Sequence, residues 1–342
     1  MILGRYPPMR FDALITLRVA LVWAIVAFVV GLISGRAIFG QSTVAEATAA
    51  ALADCRQLPA DVAARSRYLW FRSDDGRLAA LYALNAVARG RNAVGVVEVG
   101  TLLRFDLASL VDRSGTSYAE LLAAWEAIAA RDPYFGLITN VIEPGRANVK
   151  TIRVAGGWVG LEAAAELGKL SGSAAAVLRA DFFVVRATGD DYYQFAGVPD
   201  SETGLLAAIG VDRQVVARLA ADTAANLIRS RVTHKGRRVL HLPSVHGSAW
   251  FTKDVASEEG AGKDPIRAPV NYREQAFAFD ASEWFYTRPN GFWGVALYDA
   301  AGNRQATVPD AIAKDSHALD GIVRPLVSCV RCHEREGDAG LQ

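Results

Sequence analysis

The chain has 342 residues, 51% of them hydrophobic and 21% charged, with 37 basic residues against 36 acidic ones. That length is about two domains at ~150 residues each, and the apolar content excludes a disordered or fibrous chain. A net charge of +1 leaves no electrostatic footprint for nucleic acid.

The N-terminal segment reads as a membrane element. Residues 19–33 form an uninterrupted apolar run, extended by Ala13 to Leu17 on the far side of Arg18. About 20 helical residues cross a ~30 Å hydrocarbon core, so Ala13 to Ile33 is long enough if Arg18 snorkels to the head groups. Arg5, Arg10 and Arg18 precede most of the run, which by the positive-inside bias puts the N-terminus in the cytoplasm and the rest of the chain outside. A cleaved export signal shares the basic start and the apolar middle, but Gly35-Arg36-Ala37 and Ile38-Phe39-Gly40 are poor cleavage sites. An uncleaved anchor is therefore expected, and both readings export the body of the protein.

Beyond this segment, VAEATAAALADC predicts a short helix and 75–90 a longer one, stopped by Gly90. VGVVEVG and TLLRFDLA are strand-like. Ser117, with Glu120 three residues on, opens an amphipathic helix that ends at Asp132-Pro133. A helix is expected over 158–170, a strand over 177–188, and helices over 202–209 and from Asp212 to Ser230. After Ser230, Gly, Pro and aromatic residues replace the Ala-rich pattern. HLPSVHGSAW (241–250) reads as a loop, and 256–271 reads as an exposed loop and the best boundary. Two strand-like runs then flank the Pro289-Asn290-Gly291 turn.

The scarcest residues carry the chemistry. Cys329, Cys332 and His333 form C-x-x-C-H, the attachment pattern of c-type haem. Two thiols three residues apart meet the two vinyl groups along one porphyrin edge, and the adjacent imidazole then lies beneath the iron. Zinc would need a second ligand pair, and Cys55 stands alone. A thiol-redox C-x-x-C opens a helix after a strand in a βαβ unit, which is not evident here. The only methionines, Met1 and Met9, lie before the apolar run, so the exported part holds no Met for the iron. The sixth position falls to His241 first and His246 second, or stays open, while His234 and His317 read as ordinary structural residues. Trp284, Phe285, Tyr286, Phe292, Trp293 and Tyr298 read mainly as core, with some of them packing on the haem. Arg288, Arg304 and Arg324 are candidates for its propionates.

The series TLLRFDL, AWEAIAARDPYF, VLRADFFV, PNGFWGVALYDAAGNRQ, VPDAIAKDS and VSCVRCH resembles a family of exported bacterial c-type cytochrome proteins with a long uncharacterised N-terminal region. The similarity runs from about residue 60 to 335 and implies that Cys329, Cys332 and His333 bear haem. Its members continue beyond the motif, whereas nine residues follow His333 here.

The expected fold class is α+β: an N-terminal transmembrane helix, a mostly helical periplasmic body and a strand- and loop-rich haem-binding end. This is neither a small cytochrome c fold nor a four-helix bundle. The expected divisions are 1–40 for the tail and anchor, 41–255 for the body and 256–342 for the haem segment. The expected function is a membrane-anchored periplasmic cytochrome with one covalent haem c, an electron carrier more than a catalyst. Its partner would be a redox protein or a membrane electron-transfer complex. The alternatives are a haem enzyme or gas sensor with an open sixth position, and an accessory subunit of a membrane complex.

Overall fold

The computed structural model describes residues 44–111, 118–132, 138–141, 150–153, 162–212, 224–230, 232–260, 262–266 and 277–333. Helices α1 (Val44–Cys55), α2 (Ala60–Arg65) and α3 (Asp74–Val87) come first, with β1 (Ser66–Trp70) between the last two. Ser73 caps α3 by accepting the Gly76 N–H at 3.1 Å, and Asp74 and Asp75 place negative charge in its first turn, where the helix dipole favours it. β2 (Val96–Val99) and β3 (Leu102–Asp106) form a hairpin, and α4 (Tyr118–Ala129) follows. β4 (Ile138–Val141) and β5 (Lys150–Arg153) pair with each other, and α5 is Glu162–Ser171. β6 (Val177–Arg179), α6 (Ala180–Ala187), α7 (Tyr192–Ala196) and α8 (Glu202–Ala208) complete the first unit. Its sheet has the order β2-β3-β1-β6, antiparallel except for the β1–β6 pair.

The second sheet is an antiparallel meander: β7 (Ala224–Leu227), β8 (Arg237–Ser244), β9 (Gly247–Asp254), β10 (Ala281–Thr287) and β11 (Trp293–Asp299). The final helix, α9, is Val327–His333. One hydrophobic core runs through both units, from Leu69, Leu103 and Trp125 to Leu240, Phe251 and Trp284. Phe251 and Trp284 stack with ring centroids 4.1 Å apart.

Side chains directly opposite in an antiparallel pair share a face, and so do residues two apart along a strand. One face of the meander therefore carries Leu240, Phe251, Trp284 and Ala296, together with Leu242, Ala249 and Tyr286, and it is buried against the first unit. The opposite face carries Arg237, Asp254, Thr252, Glu283, Leu297 and Val295 at one end and His241, Trp250, Phe285 and Trp293 at the other.

Several expectations are corrected. The fold class expected a transmembrane helix, but among the described residues no helix is long and apolar enough to cross a membrane; the segment it was expected in, 13–33, lies outside the described residues. The body, expected to be α+β and mostly helical, holds the four-stranded sheet as well as its helices, and the five-stranded meander draws on residues 224–299. The apolar run 177–188, expected as a strand, turns helical at Ala180, where α6 buries Phe183 and Val184 at helical spacing. The helix expected up to Ser230 gives way to β7 over 224–227, where pairing with β8 outweighs helix propensity. The loop expected at 241–250 is the β8–β9 hairpin, with Pro243 exposed near its tip.

The joint between the units is polar at its centre. Arg288, just after β10, is buried and donates to the carbonyls of Val87, Ala88 and Ala196 at 3.3, 2.8 and 3.2 Å. Those oxygens end α3 and α7, where helix carbonyls lack partners of their own and a cation is favoured. Arg288→Leu is expected to cost about 2–4 kcal/mol, since it leaves buried carbonyls unpaired. The measurement is a urea titration in which the midpoint falls while the slope is retained.

Candidate functional site

Helix α9 carries the Cys329-Cys332-His333 motif. Positions 329, 332 and 333 are i, i+3 and i+4, which a 3.6-residue period brings to one face of the helix. The side chains of Cys332 and His333 lie outside the described set. Leu326, immediately before the helix, has φ 61°, a left-handed conformation that is costly for a bulky L-residue. Its side chain is 1% exposed within the common core, and the Val327 N–H donates to Thr188 O at 3.0 Å, so packing holds the turn.

A buried carboxylate clamps the helix from the side. Asp315 accepts from Ser328 Oγ at 2.7 Å and from Arg331 Nη1 at 3.0 Å through one oxygen, and from the His317 N–H at 2.8 Å through the other. Ser328 Oγ in turn accepts the Arg324 N–H at 2.9 Å. The residue before Cys329 and the one before Cys332 are thus both tied to a single acid.

Cys329 is buried and turned toward the meander, where its Sγ lies 3.3 Å from Glu283 Oε1. The other Glu283 oxygen lies 3.5 Å from Arg237 Nη2. Arg237 holds Asp254 in two contacts of 2.7 Å, and its Nη2 also meets Thr252 Oγ1 at 2.8 Å. Burial works against the charge on Arg237, but Asp254 and Glu283 overcome it, so its pKa is raised and the guanidinium stays charged. The cavity beside this cluster, lined by Leu297, Val308, Ile312 and Val323 among others, is about 40 Å³, which is room for water and not for a porphyrin.

Farther along the same face the sheet is open. Trp250 and Trp293 are each 42% exposed, and Phe285 meets Trp293 edge-on with centroids 5.8 Å apart. His241 packs on Trp250 at 4.2 Å, and its Nε2 lies 3.1 Å from Ser248 Oγ. From strand spacing and rise, the His241 backbone is about 12 Å from that of Glu283, roughly the breadth of a porphyrin. His246 sits in the β8–β9 turn, about 10 Å farther from the cluster.

The structure therefore brings Cys329, Phe285, Trp293 and His241 to one sheet face and leaves His246 at its far tip. It turns Trp284, Tyr286 and Tyr298 to the other face. The three arginines considered for propionates have other work. Arg288 caps two helices, Arg304 binds Asp200 and the Val198 carbonyl, and Arg324 binds Asp190 and Asp320. Sequence reasoning passed over Glu283, Arg237, Asp254 and Asp315. Only Glu283 left a trace, as an acid inside the otherwise apolar alternation of β10.

No family model matches the chain, and comparison with curated proteins and with solved structures finds no match either.

Asp315→Ala is expected to strip Ser328, Arg331 and the His317 amide of their shared acceptor at a cost of about 3 kcal/mol. Hydrogen exchange should show lost protection concentrated in α9, and unchanged α9 protection would contradict the clamp.

Proposed function

We propose that the protein is an exported, periplasmic c-type cytochrome with one covalent haem, which relays single electrons between a membrane electron-transfer complex and a redox partner. The observation that carries this reading is the C-x-x-C-H motif on one short helix, held by Asp315 over a sheet face that continues into exposed aromatic residues. The donor chemistry fits the group: Cys329 and Cys332 would hold it through thioethers, and His333 would ligate the iron from the proximal side. The porphyrin would rest on the open aromatic face, because the enclosed cavity is too small. Trp250, Phe285 and Trp293 would shield it from water. The haem, when bound, supplies a one-electron couple; the chain's part is to fix its orientation and its surroundings. The family resemblance and the basic, apolar N-terminal segment support the same reading, since c-type haem is attached outside the cytoplasmic membrane.

His241 is the leading sixth ligand and His246 the second. His241 is already engaged, with Ser248 at Nε2 and Trp250 against its ring, and it must give up the Ser248 contact to bind iron through that nitrogen. This favours, as the second reading, an iron whose sixth position is open or displaceable, as in a haem enzyme or gas sensor.

Expressed in cells that attach c-type haem, the chain is expected to give a haem stain that survives denaturation, and Cys329→Ala is expected to weaken it. The absence of any stain would sink the proposal. A low-spin ferrous spectrum unmoved by carbon monoxide, and turned high-spin by His241→Ala, is the outcome for electron transfer with His241 as ligand. A high-spin ferrous form that binds carbon monoxide in the unmodified chain selects the second reading.

A further inference from the structure

Residues directly opposite one another across the meander run Asn226, Arg238, Lys253, Ser282 and Tyr298 from β7 to β11. They share a face with Leu240, Phe251, Trp284 and Ala296, two residues along each strand, so a polar row ends the core face. Most of the row is hydrogen-bonded. Arg238 donates to Asn226 Oδ1 at 2.9 Å and to the Pro265 carbonyl at 3.3 Å, Ser282 to Glu202 Oε1 at 3.0 Å, and Tyr298 to the Pro199 carbonyl at 3.0 Å. Lys253 is the exception: its Nζ lies 4.7 Å from the centre of the Phe279 ring and makes no hydrogen bond or ion pair among the described residues. The other lysines with described side chains differ from it. Lys263 holds Asp280 at 2.6 Å, Lys314 reaches Asp310 at 3.8 Å, Lys235 donates to the Ala311 carbonyl, and Lys169 is exposed.

A ring face partly compensates an ammonium but does not replace a carboxylate. Burial lowers the pKa of Lys253, the Arg238 charge on the neighbouring strand lowers it further, and Glu202 opposes both. These are the charged groups that face it, from β8 and α8; Ser282 of β10 and Phe279 are neutral. Lys253 is only partly buried, so the amine is not sealed from solvent. A lysine biased toward its neutral form by desolvation and a neighbouring cation is a nucleophile toward carbonyl groups.

We propose that Lys253 is a covalent binding site for small aldehydes, which its amine takes up as a Schiff base at the polar end of the core face. The site lies on the face of the meander opposite Glu283 and Cys329 and does not depend on haem. In the step, Nζ bonds to the carbonyl carbon as the C=O π bond opens, and one nitrogen proton moves to the oxygen to give the carbinolamine. The hydroxyl then leaves as water with the second nitrogen proton while the C=N bond forms. No electron is gained or lost, and water reverses the reaction. Phe279 and Arg238 crowd the amine, which is why the aldehyde must be small.

The test treats the full chain with acetaldehyde and sodium cyanoborohydride, which reduces each C=N bond to a stable ethylamine, and maps ethylation by mass at a series of pH values. The readout is the rate at Lys253 divided by the rate at the exposed Lys169, a ratio in which the reagents' own pH dependence cancels. Near neutral pH Lys253 is expected to react severalfold faster. The ratio should fall as the pH passes the ordinary lysine pKa of about 10.4, where both amines become neutral, and it should approach one in the urea-unfolded chain. Glu202→Gln removes the negative charge that favours the ammonium, while its amide oxygen can still accept from Ser282 and Trp284. It should raise the ratio, and Arg238→Gln should lower it; the Glu202 variant decides the matter if the Arg238 variant does not fold. Lys253 reacting no faster than Lys169 near neutral pH, a ratio that does not change with pH, the same ratio in the unfolded chain, or a ratio lowered by Glu202→Gln would each overturn the proposal.

Discussion

β11 forms the edge of the meander, and the way that edge is closed governs the rest of the arrangement. An edge strand buried against helices leaves N–H groups with no ladder partner. Here the hydroxyls of Tyr192 and Tyr193, adjacent in α7, accept the amides of Val295 and Leu297 at 3.1 and 2.9 Å. Burial raises the pKa of both phenols, so they remain neutral and able to donate as well as accept. With the edge closed, the strand can lie against α7, and Arg288 can reach the carbonyl ends of α3 and α7 from the adjoining hairpin. The two sheets then share one core instead of forming two small ones.

That docking leaves the second face of the meander to the C-terminal segment. Residues 305–326 cover only part of it, and α9 closes over Glu283 and the buried Arg237–Asp254 pair. The uncovered part is aromatic. A chain ending its fold in this way has a polar, charge-compensated floor under one cysteine and an apolar shelf beside it. These are different demands met by alternating positions on the same strands. Glu283 and Phe285 are two residues apart on β10 and therefore share a face, while Trp284 between them faces the common core.

Much of the local structure could be read from the chain. The helices expected over 75–90 and 202–209 form as α3 and α8, and the Pro289-Asn290-Gly291 turn joins two strands as its residues dictate. The errors have a common origin. VLRADFFVVRAT is apolar enough for either state, and the parallel pairing of β6 with β1 uses only its first three residues before the rest folds back as a helix. HLPSVHGSAW has the composition of a loop, yet its flanking residues find partners across a hairpin and beside β10. In both cases the deciding partner is distant in the chain, and periodicity cannot register it.

The candidate site divides along the same line. Cys329, Cys332 and His333 were legible because their chemistry depends on spacing within five consecutive residues, which the chain states directly. The confinement of both methionines to the N-terminus was legible for the same reason. The tertiary structure alone decided that Asp315 clamps the helix, that Glu283 faces Cys329 and that His241 shares their sheet face while His246 does not. Those relations join residues 13 to 88 positions apart. The Asp315 contacts exist only once the segment after β11 has folded back against α9, and the sheet relations only once strand register has chosen which side chains meet, since one residue of slip would turn Glu283 or His241 to the opposite face.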